Sequence, residues 1–264
     1  MPKWLIPVGR IFYAIGLIGI GVQHFIFAEF IPVVMPAWPS GIPGRPYFAY
    51  ALGGLLILAG AAMLFDFNGR TVAAVTGTFF LLSFLAAHIP STLALSPGHL
   101  GSWTNTFKAL TLCGGAWLIA GSLGERGTQL PQFLERIMPF GRFFLPITVV
   151  TFGIDHLLYP DFVKTLVPSW IPWHLFWNYF AAVALISSGL GIIFRVLPRL
   201  AAFLLGVMIF LWFIMLHIPR AIVDPHSGLG NEWTSVFEAL AFSGIAFLMA
   251  ALPASSCFSI SPKD

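Results

Sequence analysis

What this chain most lacks is charge. Asp, Glu, Lys and Arg make up 9% of its 264 residues, and apolar residues make up 58%. A soluble domain carries roughly 25% charged residues, so this chain cannot cover itself with a solvated surface and belongs in a bilayer. Cysteine is scarce as well. Cys113 falls in an apolar run and Cys257 in the terminal stretch, unlike places that argue against a disulfide. Without a Cys-x-x-Cys, a thiol redox centre is excluded too. Basic clusters are missing: the net charge of +3 is dispersed, so no nucleic-acid partner is implied. No His-Glu-x-x-His or similar metallohydrolase spacing occurs, and no metal site is expected.

What is present is a polar skeleton written twice. Pro7-Val8-Gly9-Arg10 returns as Pro139-Phe140-Gly141-Arg142, and His24-Phe25 returns as His156-Leu157. Phe30, Pro36 and Trp38 return as Phe162, Pro168 and Trp170. His88-Ile89-Pro90 returns as His217-Ile218-Pro219, and Trp103-Thr104 through Leu110 as Trp233-Thr234 through Leu240. The offset is 132 for the first two pairs (139−7, 156−24), then 129 (217−88) and 130 (233−103). Near-constant spacing over such a length marks a duplicated unit.

A crossing of the roughly 30 Å hydrocarbon core takes about 20 apolar residues. Such runs lie near 10–29, 47–65, 71–92, 105–123, 142–160, 175–194, 200–219 and 234–252. The expected fold is all-α and polytopic: eight transmembrane helices as two parallel four-helix repeats, related by a pseudo-twofold along the membrane normal. The repeats are expected at 1–123 and 139–254, joined by a linker at 124–138 and followed by a tail at 255–264. The first span is not expected to be a signal peptide, because its counterpart at Gly141 lies mid-chain. With the N-terminus inside, Lys3, Arg10, Arg70, Arg126, Arg136, Arg142, Arg195, Arg199 and Lys263 are cytoplasmic, against Arg45, Lys108, Lys164 and Arg220 outside. The bias places both termini in the cytoplasm, and the expected location is a bacterial inner membrane.

That orientation gathers the histidines in the outer half. His24 lies 14 residues beyond Arg10, or roughly 21 Å along its helix, and His88 lies 18 beyond Arg70, roughly 27 Å. Polar groups at membrane depth are costly unless paired, so His24, His88, His156 and His217 are candidate site residues. A packing role, with each ring bonded to a neighbouring helix carbonyl, is the plainer alternative. Two histidines on facing helices could also ligate haem b, though no spacing supports it. Asp155 adjoins His156 where the first copy has Gln23; it could relay protons, or pair with Arg220. Lys108 and Glu238 hold equivalent positions, and about a pseudo-twofold they could meet near the axis. Thr104 and Thr234 suit helix N-caps. The apolar, Pro-rich segments Glu29–Pro46 and Pro160–His174 are expected to fold over the mouth of the bundle at headgroup level, anchored by Trp38, Trp170 and Trp173. Trp103 and Trp233 belong to the same belt.

At these residues the chain resembles the DoxX-like membrane proteins. The likeness rests on Gly21-Val22-Gln23-His24-Phe25, Phe30, Pro36-Ala37-Trp38-Pro39 and Gly53-Gly54, and again on His156, Phe162 and Pro168-Ser169-Trp170-Ile171-Pro172. Each copy is similar to one four-helix unit of that family, which includes the membrane subunits of thiosulfate:quinone oxidoreductase. The resemblance implies quinone-linked electron or proton transfer beside a redox partner subunit. His24 and His156 would face a quinone oxygen, Asp155 would relay protons, and His88 and His217 would close the site. Trp38, Trp170, Trp103, Trp233, Lys108 and Glu238 would flank the cofactor. The Glu that precedes the second-helix glycines in many relatives is replaced here by Ala51-Leu52-Gly53 and Val183-Ala184-Leu185, leaving Asp155 as the carboxylate. Two other readings stand beside this one: a small-solute transporter or channel, and a membrane assembly scaffold without chemistry.

Overall fold

The computed structural model describes residues 1–39, 41–123 and 130–252. Cys257, Lys263 and the 255–264 tail lie outside the described residues, as do Glu125 and Arg126 of the linker. The chain is all-helical. Among the described residues, eight helices are long and apolar enough to cross a membrane: α1 (Leu5–Phe27), α2 (Arg45–Phe65), α3 (Gly69–Leu95), α4 (Leu100–Leu123), α5 (Gln132–Leu158), α6 (His174–Ile193), α7 (Pro198–Val223) and α8 (Ser227–Ala251). Three are not regular at their starts. α4 opens with a 3-10 turn, α5 with a short helix and a 3-10 stretch before Phe144–Leu158, and α8 with a kink at Gly228, Leu229 and Gly230, all at positive φ.

Burial separates the helices into two layers. α4 and α8 are 78% and 89% buried and touch each other at the centre, whereas the other six are 22% to 50% buried and surround them. The outer helices carry Leu, Ile, Phe and Val outward, the composition that lipid rather than water accepts.

The halves exchange their first helices. α1 packs on α8 of the second half, and α5 packs on α4 of the first. Glycine makes both approaches possible. A methyl on Gly9 would stand 2.5 Å from the Gly244 carbonyl oxygen, and a methyl on Gly114 would meet that of Gly141. In lipid, where apolar burial between helices gains little, such backbone-to-backbone packing is a main source of association. Two turns on, the pairs diverge in chemistry. Gly16 lies against the Phe237 carbonyl and Ala241, while Thr148 takes the Thr111 hydroxyl at 2.8 Å and stands 3.1 Å from the Phe107 carbonyl. Tyr13, fully buried on α1, donates its hydroxyl to the Leu112 carbonyl at 2.7 Å. Tyr13→Phe should lower stability by about 1 kcal/mol, read as a shift of the denaturation midpoint in detergent.

At the linker end, charges close the bundle. Arg70 of α3 pairs with Glu135 of α5 at 2.6 Å. Arg199 donates to the Ala250 and Ala251 carbonyls at 2.9 and 3.3 Å, meeting the orphan oxygens and negative pole of α8.

At the opposite end, α3 and α7 each contain a π-turn, Phe84–His88 and Phe213–His217, placed just before the repeated Ile-Pro. Pro90 and Pro219 have no N–H, and their rings would clash with the carbonyl four residues back in a regular helix. The Ile89 and Ile218 N–H groups instead reach five residues back, to Phe84 and Phe213. The widened turn admits proline, and each helix continues past it instead of stopping there.

Candidate functional site

Helices α5 to α8 and a face of α4 enclose a cavity of about 1050 Å³. Its polar lining lies toward the histidine end: Asp155 and His156 near the end of α5, Asn178 near the start of α6, and His217 of α7. Thr104 and Lys108 from α4 and Ser235 and Glu238 from α8 join them. Trp170, Trp173, Trp177 and Trp212 supply aromatic walls. Deeper in, the lining is mostly apolar, with Val149, Leu185, Leu204 and Val207 beside the small Ser187 and Ser188. Phe180 and Ser187 on α6 and Leu204 and Leu211 on α7 line the cavity and are also exposed, so it opens between those two helices on the face that lipid covers. One polar end and one apolar end with a lateral mouth is the shape of an amphiphile.

Lys108 and Glu238 meet at 2.6 Å across α4 and α8. Their equivalent places in the two copies are thereby joined near the centre of the bundle, and both line the cavity. Arg220 does not pair with Asp155. It forks onto Glu232 at 2.8 and 2.6 Å, a partner supplied by α8 rather than α5. Asp155 lies in the neighbourhood of His99, and His99 stacks on Tyr159 at 4.7 Å.

The duplicated histidines divide. His156 lies over Trp212 with centroids 6.4 Å apart and planes 18° apart, its Nδ1 3.3 Å from the Asn178 carbonyl. Together with His217 it lines the cavity. His24 and His88 do not. The fully buried His24 has both nitrogens engaged: the Ile31 N–H reaches Nε2 at 3.4 Å, so Nδ1 carries the proton and donates to the Ile20 carbonyl at 2.9 Å. His88 is buried against the backbone of Val33 and Val34. The five residues expected to share one site therefore fall into a cavity group (Asp155, His156, His217) and a packed group (His24, His88).

The segment after the first helix of each copy explains the division. In the first copy it enters the core, with Phe30, Ile31, Val33 and Val34 buried and the Val34 carbonyl accepting the Ser83 hydroxyl at 2.6 Å. Its counterpart stays out, and Phe162 is 65% exposed. Lys164-Thr165 stand where the first copy has Pro32-Val33, and an ammonium group does not enter an apolar core unpaired. Lys164 instead pairs with Asp161 at 2.6 Å on the surface, which holds the Asp161 carboxyl below its ordinary range. The first copy fills with its own chain the space that the second leaves open. Ile31→Ala should cost about 2–5 kcal/mol and Phe162→Ala less than about 0.5 kcal/mol, compared by thermal denaturation.

Of the tryptophans expected to flank a cofactor, Trp170 lines the cavity. Trp38 packs between Phe30 and Phe48, Trp103 donates to the Pro97 carbonyl at 3.1 Å, and Trp233 stacks on Phe237. Neither threonine hydroxyl caps a helix. Thr104 donates to the Gly101 carbonyl at 2.7 Å, and Thr234, inside α8, lies 3.1 Å from the Gln23 side-chain oxygen. Asn178 escaped the sequence reading. It stands where the first copy has Ala49, an amide alone among apolar neighbours, and donates to the His156 carbonyl at 3.0 Å. Its lack of a repeat partner was the available signal.

Among the described residues, no group of three or more His, Cys, Asp or Glu is placed to hold a metal ion. Glu238, Asn178, Asp155 and His217, all lining the cavity, each have a buried polar atom without a hydrogen-bond partner among the described residues. Comparison with known protein families, curated proteins and solved structures finds no match.

Proposed function

We propose that this chain is the quinone-binding membrane subunit of a redox complex, seated in a bacterial inner membrane with both termini in the cytoplasm. The carrying observation is the second-half cavity, which joins an apolar chain-sized space open to lipid with a cluster of unpartnered polar atoms at one end. Each such buried atom costs about 1–3 kcal/mol while unsatisfied, which a bound headgroup would recover. Trp170 and Trp212 offer flat faces for a ring, and His156 and His217 offer nitrogens for its oxygens. Asp155 exchanges protons with the bound ring, and electrons pass to or from a partner subunit. The DoxX-like resemblance points to the same class of ligand.

The test is extraction of lipids from detergent-purified protein. Wild-type chain should carry quinone, and Ser188→Phe, which pushes a ring into the cavity, should lose it while retaining the wild-type helical content and monodisperse elution. A quinone content that is nil in the wild type, or unchanged in Ser188→Phe, would overturn the proposal. A Soret band in the purified protein would redirect it to haem.

A further inference from the structure

We infer that the cavity selects a head that donates hydrogen bonds, a dihydroxy aromatic (hydroquinone) in preference to the corresponding dione. The inference rests on the quinone reading above and concerns which redox form the site holds.

The unpartnered atoms decide it. Glu238 is 3% exposed; its Oε2 lies 2.6 Å from the Lys108 nitrogen, while Oε1 is buried without a partner. The carboxylate of such an ion pair accepts through its second oxygen. Asn178 is 1% exposed; its Nδ2 is committed to the His156 carbonyl at 3.0 Å, which fixes the amide orientation and leaves Oδ1 buried and unpartnered. An amide oxygen also only accepts. Both residues line the same cavity. Among the described residues of the lining, the Lys108 Nζ gives one of its three N–H donors to Glu238. A dione brings two further acceptors to this set and satisfies neither oxygen. A hydroquinone brings two O–H donors. His217, whose Nδ1 is unpartnered, serves either form according to its tautomer, so it does not oppose the choice.

In the first copy the chain's own backbone plays the ligand. There Asn178 is replaced by Ala49 and Glu238 by the paired Lys108, so the acceptor pair belongs to the second copy alone. The filled first copy and the open second copy therefore differ in polarity as well as in space.

The experiment is a titration of wild-type protein with a decyl-substituted benzoquinone and, anaerobically, with its hydroquinone, followed by quenching of tryptophan fluorescence. The hydroquinone should bind at least about tenfold more tightly, which raises the two-electron potential of the bound couple by about 30 mV. Asn178→Ala should narrow the preference, with Ser188→Phe as the non-binding control. Equal affinities, or tighter binding of the dione, would overturn the inference while leaving a quinone site. Saturable binding of neither form would overturn the quinone reading and the inference with it.

Discussion

Lys108→Met should lower the stability of the purified protein by about 3–5 kcal/mol, and Glu238→Met by a similar amount, because each leaves a buried charge without its partner. The double variant should recover most of the loss. Glu238 is 3% exposed and its ammonium partner lies 2.6 Å away at the contact of α4 with α8, so water cannot rescue the survivor of a single substitution. An apolar pair of similar volume needs no desolvation, which is why replacing both groups of a buried ion pair is often neutral. Denaturation midpoints of the two single variants and the double complete the cycle. Single losses below about 1 kcal/mol would mean that the pair behaves as a solvated surface contact.

Gly9→Val should cost about 3 kcal/mol, among the largest effects of a small substitution in this chain. The added Cβ would stand 2.5 Å from the Gly244 carbonyl oxygen, an atom held in a helix and unable to turn aside. α1 would have to retreat from α8 along its length. Gly114→Val should behave alike, since it opposes the Gly141 carbonyl in the other half. Gly121→Ala, on the exposed side of α4 with nothing within 4 Å, should instead stabilise by up to about 1 kcal/mol through helix propensity. Thermal melts of the three variants provide the comparison, and a Gly9→Val protein as stable as wild type would remove the exchanged packing from the account.

Much of this was legible in the residues. Scarce charge and eight apolar runs foretold a helical membrane protein, and the 130-residue offset between Lys108 and Glu238 foretold their meeting. Other features resisted for identifiable reasons. The glycines at positions 9, 114 and 244 announce close approach, but periodicity does not say which helix approaches, so the exchange of first helices between halves was not foreseen. Pro90 and Pro219 mark a break, yet only the backbone shows that a π-turn absorbs it and lets the helix continue. His24 and His156 read as equivalents because the difference between them lies in a backbone N–H, that of Ile31, which occupies one ring and has no counterpart at the other. The cause was nevertheless in plain view: Lys164-Thr165 in place of Pro32-Val33 tells which copy could swallow its own segment.

Photo-cross-linking tests most directly whether the second-half cavity holds the ligand. A diazirine-bearing decyl quinone, irradiated with the purified protein and mapped by peptide mass spectrometry, should label residues between Trp170 and Ser188 and between Leu204 and His217. Labelling should disappear in Ser188→Phe. Labels spread equally around His24 and His88, or survival of the pattern in Ser188→Phe, would contradict the account.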